Sequence, residues 1–434
     1  MNSPQLSFLN FKEIDQALLL RQIKLNNLFL KKIYSSKSQK KITSYVHRTL
    51  LPSETLKNLT PNILDKAGIT RVSDITGLDL IQIPTYTAIR PEAYFSSPFK
   101  EGLISTYNGK GFTKEEAKTS AIMEGIERCS AEKEGKTLIT ASYLEIRKHI
   151  PTIDPFSLCF EHEPDALFRK VAIEWMIGID LISNKAHAIQ AANVIAPYYY
   201  PTGTIVIQPY HSTTGLASGN CFAEAIVHSL LENIERHTLT LKDKYKKFQI
   251  SLNKVSSPWI KKILQKLDSH GFEVKIIFYQ NKFKIPVFSA ILNDPITQDP
   301  HLICHGSGAH LSKEIALIRA LTEAIQSRLA VISGTREDFN YYLEKRDSQE
   351  FYQKILQDTK NAIATYPELS FEKLPTFFHK SFYTDLKFIL NTLKGLGFNK
   401  IIAVDLTHPK IKIPVVRSIV PGLIIKQLAS KTWK

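Results

Sequence analysis

Apolar residues recur at helical spacing in several stretches of the chain and follow strand spacing between them. Leu18, Leu19, Leu20, Ile23, Leu25, Leu28 and Leu30, set among basic residues, predict a mostly helical segment over residues 5–50. Further helices are predicted over 113–134, where Thr113 and Glu116 have capping-box spacing, over 220–239 and over 312–332. A strand is expected before each of these three, over 103–107, 204–208 and 302–305. Other strands are expected over 175–182, 272–279, 401–404 and 414–420. Between strand and helix stand Gly109-Lys110-Gly111, then Gly215 to Gly219, then Gly306-Ser307-Gly308, each read as a turn.

The three helices share more than their period. Each holds a similar run: Glu124-Gly125-Ile126-Glu127-Arg128, Glu232-Asn233-Ile234-Glu235-Arg236 and Glu323-Ala324-Ile325-Gln326-Ser327-Arg328. Ala117, Ala225 and Ala316 precede the leading glutamates at one fixed distance. The first two glycine-to-alanine spacings are equal, and the third is two residues longer. The fold expected is mixed α+β, with pseudo-repeated strand–glycine turn–helix units around a mixed sheet. Two parts are expected: a basic, mostly helical arm over 1–55 and one domain over 56–434.

Composition adds limits. With 43% hydrophobic and 22% charged residues, the 434-residue chain is an ordinary water-soluble composition. No apolar run has membrane-spanning length, and the first residues lack signal-peptide order, so the cytoplasm is expected and no membrane partner. Cys129, Cys159, Cys221 and Cys304 form no C-x-x-C pair, which argues against structural zinc. The net charge is +15, and the stretch from Arg21 to Arg48 contains no acid. Without an RNA-binding signature this reads as a solvated face, and no nucleic-acid partner is expected.

Acids carry the chemistry. On a helix turning about 100° per residue, Glu224, Glu232 and Glu235 fall within about 80° of one another, beside the arc of Ile226, Val227, Leu230, Leu231 and Ile234. Asn220 adjoins them, and Ser229, Asn233 and Arg236 take the opposite face. Like charges beside a core repel unless a cation sits among them, and carboxylate oxygens suit magnesium. Ser120, Glu124 and Glu127 share a face within about 60°; alone that is a solvent face, and its shared register with the second helix points to function. Arg319, Glu323 and Gln326 align in the third. Glycine turns leading into helix N-termini, with Lys110 as a point charge, would suit a polyphosphate. No P-loop or kinase motif is present.

These residues together resemble the YcaO family of ATP-using enzymes that activate peptide amides. The resemblance rests on Gly109-Lys110-Gly111 with Ser120-x-x-x-Glu124-x-x-Glu127-Arg128, on Gly219-Asn220-x-x-x-Glu224 with Glu232-x-x-Glu235-Arg236, and on Arg319-x-x-x-Glu323-x-x-Gln326-Ser327-Arg328. Flanking matches include Gly68-Ile69-Thr70-Arg71-Val72 and Ile413-Pro414-Val415-Val416-Arg417, so it spans about residues 60–422. It implies ATP and Mg2+ as cofactors, with Lys110, Ser120, Glu124, Asn220, Glu224, Glu232, Gln326 and Arg328 at the nucleotide and Glu127, Glu224 and Glu235 at the metal. It implies no particular catalytic residue. The expected reaction is O-phosphorylation of a peptide amide, giving a thioamide with an external sulfur donor. An azoline-forming cyclodehydratase on a ribosomal peptide is the alternative, and a non-catalytic accessory factor in ribosomal protein modification is a third. Azoline-forming members tend to end in a Pro-x-Pro-x-Pro tail, whereas this chain ends Ala429-Ser430-Lys431-Thr432-Trp433-Lys434. Expected partners are a peptide or protein substrate, a TfuA-like or leader-binding protein, and a second copy in a homodimer.

Overall fold

The computed structural model describes residues 14–43, 47–91, 104–158, 169–199, 212–297, 302–336, 357, 360 and 364–425. The strand expected over 204–208, Cys159 and the C-terminal tail lie outside these. The architecture is mixed α+β. The chain divides into two compact units, both discontinuous in sequence.

The first unit gathers residues 1–39, 130–237 and 381–434. Its sheet runs Ile139–Ser142, Ala172–Asp180, Ile402–Asp405, Val415–Ile419, Leu216–Ser218, with Lys185–Gln190 also pairing Ala172–Asp180. Every ladder in it is antiparallel. The N-terminal helix is shorter than expected, Gln16–Ser35, capped by Asp15 accepting from the Leu18 N–H. Leu19, Phe29 and Ile33 are buried on one side, and Asn26 donates to the Ile177 carbonyl. Leu20, Leu25 and Leu28 stay exposed on the other side. The chain then leaves the helix for a 3-10 turn, where helix had been expected to continue.

The second unit gathers residues 40–129 and 238–380. A five-stranded sheet runs Cys304–Ala309, Val287–Asn293, Glu273–Gln280, Lys246–Ile250, Glu368–Leu369, antiparallel except for the last pair. Arg71–Asp74, Thr85–Ile89 and Thr106–Lys110 form a separate three-stranded antiparallel sheet. Helix Pro258–Ser269 follows its sequence closely: Ser257 accepts from the Ile260 N–H, Pro258 starts the first turn, and Ile260, Ile263 and Leu267 are buried. They join Phe288, Leu292, Leu317 and Leu321 in one apolar core.

The three recurrent helices are Lys114–Ala131, Phe222–Thr240 and Lys313–Ser333. Gly215 stands in a turn with φ +78°, as expected, but the glycines before the first and third helices include strand residues. Gly109 lies inside strand Thr106–Lys110, and Gly306 and Gly308 lie inside Cys304–Ala309. A methyl on Gly109 would overlap the backbone of Ala117 and Ala121, and one on Gly308 that of Ala316 and Ala320. Glycine and alanine are paired because helix and strand backbones touch there. Gly219 meets Ala225 in the same way. Gly109–Ala117 thus matches Gly308–Ala316, while the equally spaced Gly111–Ala117 and Gly219–Ala225 also approach closely.

Candidate active site

Helix Phe222–Thr240, in the first unit, carries the densest set of expected residues. The face holding Ser229 and Asn233 is buried rather than open. Ser229 donates to the Gly215 carbonyl, and Asn233 donates to the carbonyls of Ser229 and Ser418, each at 2.9 Å. With that face fixed, Glu224 and Glu235 are 2% and 4% exposed. Glu232 is half-buried and accepts from the Gly215 N–H at 3.2 Å. Asn220 points its amide at Glu224, 3.5 Å away. Arg236 stands 3.7 Å from Glu235 and 3.8 Å from Glu232. Glu224 and Glu235 share a stripe, but eleven residues (235 − 224) separate them. At 1.5 Å per residue that is about 16 Å along the axis, too far for one ion to bridge. Angular clustering hid this separation in the sequence.

The second unit carries the remainder. Ser120, Glu124 and Glu127 are half-buried on helix Lys114–Ala131. Glu124 lies 3.3 Å from Arg128 one turn on. Lys110 is not a lone point charge: its ammonium meets Glu323 at 3.0 Å, and Glu323 also accepts from Ser307 at 3.4 Å. Gln326 donates to the Asn108 carbonyl. Arg328, expected at the nucleotide, is 5% exposed and held by Asp79 at 3.3 Å and Asp294 at 3.0 Å, with Phe272 under its guanidinium. Its charge is matched by two buried acids.

The helix N-termini are capped, and the Thr113–Glu116 capping box stands as expected. Thr113 accepts from the Glu116 N–H and Glu116 from the Phe112 N–H, while Ser312 accepts from the Ile315 N–H. The caps are made by side chains of the chain itself, each taking one N–H of the first turn. Among the described residues no group of three or more His, Cys, Asp or Glu side chains stands at metal-binding separations. No described helix is long and apolar enough to cross a membrane.

A family model described as YcaO cyclodehydratase, ATP- and Mg2+-binding, matches residues 108–424, most of the chain. The chain belongs to the YcaO family. An uncharacterized protein of Methanothermobacter thermautotrophicus is 34% identical over 86% of this chain and 94% of its own length. An uncharacterized protein in the tfuA 3' region of Rhizobium leguminosarum bv. trifolii is 28% identical over 88% and 90%. In fold, the chain is similar to YcaO from Methanopyrus kandleri bound with AMPPCP and Mg2+, with TM-score 0.67, 21% identity and coverage of 89% and 95%. It is also similar to a chain of the E. coli microcin synthetase McbBCD complex, with TM-score 0.58, 16% identity and coverage of 78% and 84%.

ATP and Mg2+ are the cofactors of a YcaO protein, and the donor set present fits them. Glu224 and Glu235 are carboxylates withdrawn from water, hard oxygen donors of the kind magnesium takes. Sequence reasoning missed the roles of Asp79 and Asp294 around Arg328. Single aspartates carry no periodic signal.

Proposed function

We propose that this YcaO protein activates a backbone amide of a peptide by O-phosphorylation and that the product is a thioamide. A hydrosulfide equivalent adds to the carbonyl carbon, and the π electrons move to oxygen. That oxygen attacks the terminal phosphorus of ATP, and ADP leaves. The phosphorylated oxygen then departs as inorganic phosphate while the thiol proton is lost and C=S forms. The chain's own task is to position these groups and to offset charge. We assign Lys110, Ser120, Glu124, Asn220, Glu224, Glu232 and Gln326 to the nucleotide and Glu127, Glu224 and Glu235 to Mg2+, with Glu224 and Glu235 serving different ions. The observation that carries the reading is the near-complete burial of Glu224 and Glu235 in a chain of an ATP- and Mg2+-binding family.

The name of the Rhizobium relative supports the thioamide branch and a TfuA-like partner, because it places that protein beside tfuA. Azoline formation is the second reading. It is favoured by the fold similarity to a heterocyclase in complex with substrate and cofactor, at TM-score 0.71. Calorimetry with ATP and Mg2+ tests the common core. Binding should weaken by at least about tenfold, roughly 1.4 kcal/mol, in Glu235→Ala and in Glu124→Ala. Wild-type affinity in both variants would remove the assignment.

A further inference from the structure

Helix Gln16–Ser35 lies outside the residues matched by the family model and outside every residue assigned above. One side of it is fixed to the first unit. Leu19, Phe29 and Ile33 are buried there, the Phe29 ring stands edge-on to Phe222 at 5.1 Å, and Asn26 donates to the Ile177 carbonyl. The other side is thereby held outward. It carries Leu20, Leu25 and Leu28, which are 56%, 49% and 51% exposed. Arg21, Lys24 and Lys31 stand exposed among them. At about 100° and 1.5 Å per residue, these six side chains fill an arc of about 140° along about 16 Å of axis.

Charge decides what such a face can meet. No acid occurs between Asp15 and Glu54. Arg21, Lys24 and Lys31 meet no carboxylate among the described residues. The basic run extends past the helix. Lys37 lies 4.9 Å over the Tyr34 ring and 5.0 Å over that of Tyr383, and Lys387 lies 5.0 Å over Tyr383 as well. A second copy of this face would set cation against cation. A bilayer takes a helix whose apolar and charged faces are apart. Here they interleave around the arc in the order Leu20, Lys31, Lys24, Leu28, Arg21, Leu25, so sinking the leucines among acyl chains would carry cations in with them. A nucleic-acid strand stacks its bases on open rings. Tyr34 and Tyr383 are covered by lysines, and leucine offers no such platform.

We propose that this face docks an acidic amphipathic helix of a separate protein. Its apolar residues meet Leu20, Leu25 and Leu28, and its carboxylates meet Arg21, Lys24 and Lys31. Burying leucine against an apolar counterpart supplies affinity, because apolar area leaves water on both sides. The opposed charges set register and reject partners of the wrong sign. The inference deepens the partner part of the proposed function and rests on that reading only for what the docking serves.

The test uses the full chain and the fluorescence anisotropy of a labelled helical peptide of about twenty residues, with leucine at every third or fourth position and glutamate on both sides of that stripe. A second peptide replaces glutamate by lysine, and a third keeps glutamate but replaces leucine by serine. The first should bind, and the other two should bind at least about tenfold more weakly. Leu20→Ser together with Leu28→Ser should weaken the first peptide by at least about tenfold. Lys24→Glu together with Lys31→Glu should do the same and should restore binding of the lysine peptide. Lys261→Gln, on an exposed position of helix Pro258–Ser269, should change nothing. No binding of the first peptide overturns the docking face, as does parental binding in both double variants. Equal binding of the serine peptide also overturns it, since only a counter-ion effect would remain. Vesicles of phosphatidylserine and phosphatidylcholine, single-stranded RNA, and sedimentation of the chain alone probe the other occupants. Binding to any of these, or self-association, that depends on Leu20 and Leu28 in place of the peptide overturns the assignment. Calorimetry with ATP and Mg2+ reads the glutamates independently, so failure of the docking face and failure of the ATP assignment are distinguishable.

Discussion

Protonating His47 would place a charge beside Lys41 and Arg48 of its own two-stranded ribbon, Ile42–Thr43 with His47–Arg48, with His310 and Arg319 facing from the third helix and its approach. Its folded pKa is lowered from 6.5 to about 4, by burial first and then by Lys41 and Arg48. Between those values the unfolded chain binds more protons than the folded one. Stability present above about pH 6.5 is therefore lost as pH falls toward about 4, and His310 acts in the same direction. The urea midpoint should drop between about pH 7 and pH 5, and His47→Gln should flatten that drop; an unchanged slope in the variant would contradict the assignment. Arg328 makes a second residue-scale case. Replacing it by Met leaves Asp79 and Asp294 buried without their cation, and about 3–5 kcal/mol of stability should go. Adding Asp79→Asn and Asp294→Asn should recover part of it in denaturant titrations. If Arg328→Met instead unfolds like the parent and loses only ATP affinity, its place is at the nucleotide.

At the scale of elements, the contacts between glycine strands and alanine helices set where the acids stand. Gly109→Ala would drive a methyl into the backbone of Ala117 and Ala121, which has no rotamer with which to yield. It should cost at least the upper part of about 1–3 kcal/mol in denaturant titration. Gly77→Ala, with nothing within 4 Å, should be near neutral. Equal stability of the two would mean that the strand and helix are not in this contact. The helices themselves were legible, because Ile226, Leu230 and Ile234 keep a 3.6-residue period and Ser312 and Thr113 cap as their types suggest. The strands were legible only to within a few residues. Thr106–Lys110 and Cys304–Ala309 contain glycines that add no apolar beat, so expectation stopped short of them. In a sequence, a glycine that turns and a glycine that admits a helix are the same letter. The acids were legible as a stripe but not as two ends of a helix, since angle repeats every turn while rise accumulates. Pairs such as Asp79 with Arg328, 249 residues apart, leave no local pattern at all.

For the whole molecule the open quantity is the product, and the two branches differ in what they demand of the peptide. An azoline needs a Cys, Ser or Thr side chain next to the modified carbonyl, because that side chain is the nucleophile; an external sulfide does not. Sulfur replacing oxygen raises the peptide's mass, whereas cyclodehydration removes water and lowers it. Co-expression with a TfuA-like partner and a candidate peptide should give the gain, at a residue whose neighbour need not carry a hydroxyl or thiol. ATP turnover should stay low without peptide, since the oxyanion that attacks ATP exists only after the nucleophile has added. Loss of water at a Cys, Ser or Thr would overturn the thioamide product. It would leave the glutamates untouched, because both routes pass through the same phosphorylated oxygen and release the same phosphate. Fast ATP hydrolysis without any peptide would go further and remove the shared intermediate, since phosphorus would then be attacked by water rather than by a carbonyl oxygen.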